Sequence, residues 1–141
     1  MRVVFIFWLL VLVTISCNSS KTISSKPPIE KENKPGLTGV WQLEFLFASD
    51  NNWTSQPFIN LNLKDNSFSG NSGCNNISGK FIIKDNYIAI DKNIISTKMA
   101  CSGTFEKSFL SALTKINKCT IHKDYLELGQ GEIVLMKFKR N

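Results

Sequence analysis

The chain has 141 residues and carries 17 Lys and Arg against 11 Asp and Glu, a formal charge of +6, with 43% hydrophobic residues, four Cys and a single His. That length supports one hydrophobic core rather than two once a targeting segment is set aside. One His excludes a His-rich zinc or iron site and leaves at most one imidazole general base.

The charge excess is dispersed. Arg2 and four Lys precede Leu37; beyond it, 12 basic residues accompany nine acidic ones, a net of +3, with Lys scattered singly and Arg140 the one Arg. A nucleic-acid surface needs clustered basic residues beside exposed aromatics, so no nucleic-acid partner is expected.

Residues 3–13 (VVFIFWLLVLV) are 11 consecutive apolar residues behind Arg2, followed by Thr14-Ile15-Ser16-Cys17. They are too short to cross a hydrocarbon layer of about 30 Å and match a secretory core segment. A small residue directly before Cys17 resembles the lipobox of bacterial lipoproteins, which are cut before the Cys and lipidated on it. Residues 1–16 are therefore expected to be a lipoprotein signal peptide and Cys17 the lipid attachment site. With no Asp or Glu immediately after Cys17, sorting in such lipoproteins implies a cell-envelope location, on the outer membrane and facing the periplasm. Residues 17–36 form a polar tether: residues 18–35 are Asn, Ser, Lys, Glu and Pro with isolated Ile, and 18 residues of flexible coil reach about 25 Å.

From residue 37 to 141 a single domain is expected, dominated by two-residue alternation. Trp41, Leu43, Phe45 and Phe47 fall on one face of a first strand, opposite Gln42 and Glu44. Ile59, Leu61 and Leu63 alternate with polar residues up to a Lys64-Asp65-Asn66-Ser67 turn, and Phe68 begins the return strand. Hairpins follow around Lys84-Asp85-Asn86 and Lys123-Asp124. Gly129-Gln130-Gly131 turns the chain into a last strand over 132–139.

One stretch changes period. Over 104–117, Phe105, Phe109, Leu110, Ala112, Leu113 and Ile116 recur at helical spacing. Thr104 stands at the start as a capping residue, Glu106 in the first turn, and Lys115 and Lys118 at the end, in the sense the helix dipole favours. The expected fold is mainly β (α+β): a curled antiparallel sheet or partly open β-barrel of about eight strands, covered by one amphipathic helix.

Exported thiols are normally paired. With Cys17 reserved for lipid, Cys74, Cys101 and Cys119 remain. Around the first two the motifs become specific: Leu37-Thr38-Gly39-Val40-Trp41-Gln42-Leu43, then Gly73-Cys74-Asn75-Asn76-Ile77-Ser78-Gly79, then Thr97-Lys98-Met99-Ala100-Cys101 followed by Glu106 and Phe109-Leu110, closed by Tyr125-Leu126-Glu127-Leu128. In this order and spacing they resemble the META domain family, which includes the bacterial heat-shock protein HslJ. The resemblance covers about residues 37 to 139. It implies a compact β-rich fold with one helix, frequent attachment to the envelope as a lipoprotein, and no established enzymatic activity. It also implies a Cys74–Cys101 disulfide, since relatives carry Cys at both matching positions. Cys119 lies outside the family pattern and reads as a small buried hydrophobe.

The chemistry of catalysis lacks participants. His122 stands beside the Lys123-Asp124 turn on a face expected to meet solvent. Gly70-Asn71-Ser72-Gly73 is one residue short of a nucleophile elbow and lacks its strand-to-helix context. Asp65, Asp85 and Asp124 are turn formers. A metal site would need Cys74 and Cys101 as thiolates with His122 nearby, which an oxidising compartment disfavours. No catalytic residue, metal or cofactor is expected. The loop residues Gly70, Asn71, Gly73, Asn75, Asn76 and Gly79 carry the functional alternative: permissive backbone and amide groups suit a binding loop for an anion or peptide end, or simply shape a tight crossing.

Two function classes follow. The first is a monomeric, non-catalytic envelope module that is held to the membrane by the Cys17 lipid and binds or supports an envelope protein in stress tolerance or assembly. The second is a carrier of an apolar ligand inside the barrel.

Overall fold

Alternation folds into two meanders. In the computed structural model, which describes residues 36–141, β1 (Gly39–Leu46), β2 (Phe58–Asn62), β3 (Ser67–Asn71), β4 (Asn76–Lys84) and β5 (Tyr87–Ile90) pair antiparallel in succession. β7 (Lys118–Ile121), β8 (Tyr125–Gln130) and β9 (Ile133–Arg140) form the second meander, and β9 returns to pair with β1. The strand order is β5-β4-β3-β2-β1-β9-β8-β7, and the two-residue β6 (Ile95–Ser96) pairs with β4. The ends of this path meet where the Cys119 N–H donates to the Asn86 carbonyl at 2.7 Å. The result is a nearly closed, barrel-like antiparallel sheet with a single helix among the described residues, α1 (Phe105–Lys115). Near-closure leaves little unpaired edge. The signal segment, Cys17 and the tether as far as residue 35 lie outside the described residues.

Turn chemistry fixes the registers. Lys84 pairs with Tyr87, leaving Asp85-Asn86 as a two-residue loop in which Asp85 has φ 51°. Asn66 occupies the β2–β3 turn at φ 52°. Asn and Asp tolerate this left-handed region better than other residues with a β-carbon. At Gly70 the constraint is space rather than φ: a β-carbon would lie 2.1 Å from the Phe58 carbonyl oxygen. Gly70→Ala is therefore expected to cost at least about 1–3 kcal/mol by forcing β2 and β3 apart, which urea denaturation of the purified domain would measure.

The barrel interior is filled by side chains, and Trp41, Phe109 and Phe138 are wholly buried among them. In β1, Trp41 and Leu43 are buried as their alternation requires, whereas Phe45, and Phe47 just beyond the strand, are 41% and 52% exposed and Leu46 is buried instead. The cause is a β-bulge. Leu43 pairs with Phe138 but Phe45 with Lys137, so Glu44 is an extra residue and the strand changes phase behind it. A second irregularity lies between Leu128 and Gly129, opposite Met136 and Val134, and there Leu135 and Met136 are both buried.

The helix buries Phe105, Phe109 and Leu113, packs against β5 and β9, and is followed by buried Ile116. Glu106 and Lys115 sit at the ends that the dipole favours. Thr104 does hold the N-cap position, but its side chain makes no capping hydrogen bond because its backbone is already helical, at φ −109° and ψ −2°. Its carbonyl accepts the Ser108 N–H at 3.0 Å.

Candidate functional site

Strand β3 ends at Asn71 and β4 begins at Asn76, so the loop expected over 70–79 contracts to residues 72–75. Gly70, Asn71, Asn76 and Gly79 belong to strands. Gly73 alone among the loop's three glycines needs positive φ, at 99°, and a β-carbon there would approach the Phe105 ring to 2.8 Å. Trp53 packs edge-on against that ring at 5.3 Å between centroids. Gly73 is thus required twice, by backbone and by packing. Its carbonyl accepts both the Thr54 and Ser55 N–H groups.

The loop meets residues 97–101 and the first turn of α1, and Asn75 joins all three. Its Nδ2 donates to Glu106 Oε2 at 2.9 Å and lies 3.1 Å from Cys101 Sγ. Its Oδ1 accepts from Thr97 Oγ1 at 2.7 Å and from the Met99 N–H at 2.8 Å. Ser72 Oγ donates to Glu106 Oε1 at 2.7 Å. Cys74 and Cys101 form the disulfide that closes the junction, with Cα atoms 6.1 Å apart, and buried Cys119 takes no part in it. Ser72 is wholly buried and Asn75 is 4% exposed, so each missing partner would leave a desolvated polar group costing about 1–3 kcal/mol.

Most of the loop's amide groups are consumed internally. Asn71 Oδ1 accepts the Gly73 N–H and the Ser55 hydroxyl, and its Nδ2 donates to Asn76 Oδ1. Asn76 is exposed at the head of β4. Ser72, Thr97 and Glu106 are site residues outside the expected binding set: the sequence offered Ser72 only as a failed nucleophile elbow, Glu106 as a first-turn carboxylate in a motif block, and Thr97 as the first residue of another.

The wholly buried Ser72 hydroxyl has no path to a substrate, and it faces a carboxylate rather than an imidazole. His122 lies on the β7–β8 hairpin, stacked on Tyr125 at 3.9 Å and not fully open to solvent as expected. Its Nε2 is 3.4 Å from Glu127 Oε2 but badly aligned, so no hydrogen bond forms. The sulfurs and Glu106 offer metal-ligating atoms within 4.8 Å of one another, though sulfurs joined to each other are not thiolate ligands.

A second feature lies on the outer face of β2, β3 and β4. Outward residues form two cross-strand rows, Asn60–Ser69–Ser78 and Asn62–Ser67–Lys80. Because the middle members are serines, the rows make the floor of a groove of about 520 Å³, walled by Asp91, Asn93 and Ile95. A neighbouring hollow of about 430 Å³ shares Ser69, Ser78 and Ile95 and continues toward Asn76 and Thr97. At the groove's end the Ser67 hydroxyl donates to Asp65 at 2.7 Å and, with a smaller contribution from Lys80, holds that carboxyl below its ordinary pKa. The small stabilisation this brings is present above the unfolded carboxylate pKa and is lost as pH falls through the lowered value.

Comparison with known proteins fits this architecture. No curated protein matches the chain. An NMR structure of a protein from Burkholderia xenovorans is 21% identical, covers 73% of this chain and 81% of its own, and superposes with a TM-score of 0.57. A further NMR structure, 20% identical, covers 72% of this chain and 88% of its own with a TM-score of 0.52. A DUF4847 family protein from Bacteroides vulgatus, 22% identical, covers 60% of this chain and 59% of its own, with a TM-score of 0.48. The family model for the META domain matches residues 35–141, which include the Cys74–Cys101 junction and the groove, and the chain belongs to the META domain family.

Proposed function

We propose that this protein is a non-catalytic, lipid-anchored module of a bacterial cell envelope that binds or supports another envelope component. The observation that carries the reading is the groove over β2, β3 and β4, where Asn and Ser side chains and one charge of each sign, Lys80 and Asp91, stand on a surface whose exposed area is mostly apolar. Amides and hydroxyls in two rows suit a partner rich in hydrogen-bonding groups, while Ile95, 71% exposed, gives that partner one apolar ridge. The signal-like residues 1–16 and Cys17 support the anchoring. The apolar-carrier alternative draws no support from the interior, where Trp41, Phe109 and Phe138 are wholly buried in one packed cluster.

Capture of the full-length protein from detergent-solubilised membranes tests this reading. The expected result is a chain that begins at a lipidated Cys17, as read by intact mass, and retains an envelope protein. Ser69→Trp, which fills the exposed groove floor, should release that protein without changing the thermal midpoint. A soluble, unlipidated product, or capture that is indifferent to Ser69→Trp, would overturn it.

A further inference from the structure

The disulfide junction holds more chemistry than a staple requires. Cys74 Sγ, Cys101 Sγ and a Glu106 carboxylate oxygen lie within 4.8 Å of one another, contributed by the β3–β4 loop, the 97–104 segment and the first turn of α1. Two thiolates and one carboxylate form a three-ligand set for zinc, with water in the fourth tetrahedral position. Ligands about 2.3 Å from a tetrahedral ion stand roughly 3.7 Å apart, and Cα atoms separated by 6.1 Å let both sulfurs reach that spacing.

The sulfur–sulfur bond is not the sole tie between the two cysteine-bearing segments. Met99 N–H donates to Asn75 Oδ1, Asn76 N–H to Thr97 Oγ1, and Thr97 N–H to the Asn76 carbonyl at 3.0 Å. The ligands already have orienting partners. Ser72 Oγ and Asn75 Nδ2 fix the Glu106 carboxylate, and Asn75 Nδ2 also faces Cys101 Sγ, where an N–H group favours a thiolate.

We propose that the reduced protein binds a zinc ion through Cys74, Cys101 and Glu106, making the junction a redox-gated metal site. A phosphine reductant and one water open the bond: the phosphine leaves as its oxide and each sulfur becomes a thiol. Zinc then displaces both thiol protons. Exchange with an oxidant disulfide takes two electrons in all from the two thiolates, forms the Cys74–Cys101 bond, leaves the oxidant as its dithiol and expels the metal, because sulfurs bonded to each other no longer carry thiolate charge.

The test titrates phosphine-reduced full-length protein with Co²⁺, then Zn²⁺, while circular dichroism follows the fold. Thiolate-to-cobalt charge-transfer absorption at one equivalent, bleached by Zn²⁺ and absent from the oxidised protein, is the expected result. Glu106→Gln should weaken Zn²⁺ affinity at least about tenfold with both thiols intact, and its oxidised form reports any loss of fold separately. If reduction alone unfolds the domain, refolding on addition of Zn²⁺ supports the site. A folded reduced protein without the charge-transfer bands, a Glu106→Gln variant that titrates like the parent, or a reduced chain that stays unfolded with Zn²⁺ would overturn it.

Discussion

Reducing the Cys74–Cys101 bond in metal-free buffer is expected to lower the domain's stability by about 3.5 kcal/mol. The cysteines are 27 residues apart, and the chain-entropy relation assigns a loop of that length roughly this much restraint of the unfolded chain. For a domain of this size the thermal midpoint should fall by more than about 12 °C. The same loss threatens the fold itself, since small domains hold only about 5–15 kcal/mol in total. Cys74→Ser with Cys101→Ser should reproduce the loss in the absence of reductant, and non-reducing peptide maps should link 74 to 101 only. A midpoint unmoved by reduction would show that the Asn75 network holds the junction without the bond. Zinc added to the reduced parent should recover part of the loss, because a ligand that binds only the folded state stabilises it, whereas the double serine variant should not respond.

The junction was legible in the sequence only in outline. Family motifs named Cys74, Cys101 and the surrounding Gly and Asn residues, but a motif does not say which way an amide points. Asn75 looked available to a ligand and is instead 4% exposed, its donors and acceptors satisfied by Glu106, Thr97 and Met99. Alternation placed Ile59, Leu61, Leu63 and Phe68 correctly, and helical spacing placed Phe105, Phe109 and Leu113. It failed at Phe45 and Phe47, because an inserted residue at Glu44 reverses the inward face and no local propensity announces a bulge set by pairing with distant β9. β6 escaped notice for the same reason: two residues carry no period, and only their pairing with Ile77 and Ser78 makes them a strand. The groove, too, emerges only from register. Asn60, Ser69 and Ser78 are ordinary surface residues until three strands align them in one row.

Trp41 is where local pattern and long-range pairing agree, and its truncation should be the most damaging single substitution in the barrel. The side chain is wholly buried on β1, between Ile59 of β2 and Arg140 of β9 in register. Its Nε1 donates to the Leu37 carbonyl at 2.8 Å, which ties the start of the domain to the sheet, and the Arg140 guanidinium lies 4.2 Å from the ring centroid. Trp41→Ala should cost about 3–5 kcal/mol for the cavity alone, and the orphaned Leu37 carbonyl adds about 1 kcal/mol or more. That approaches the whole stability of the domain, so the variant should be largely unfolded at 37 °C and rapidly cleaved by protease. Trp41→Phe separates the contributions. It retains most of the apolar volume and removes the indole donor, so its cost should stay near 1–2 kcal/mol. Urea titration of both variants decides the point, and a Trp41→Ala stability within about 1 kcal/mol of the parent would mean that the nearly closed sheet tolerates a void in its core.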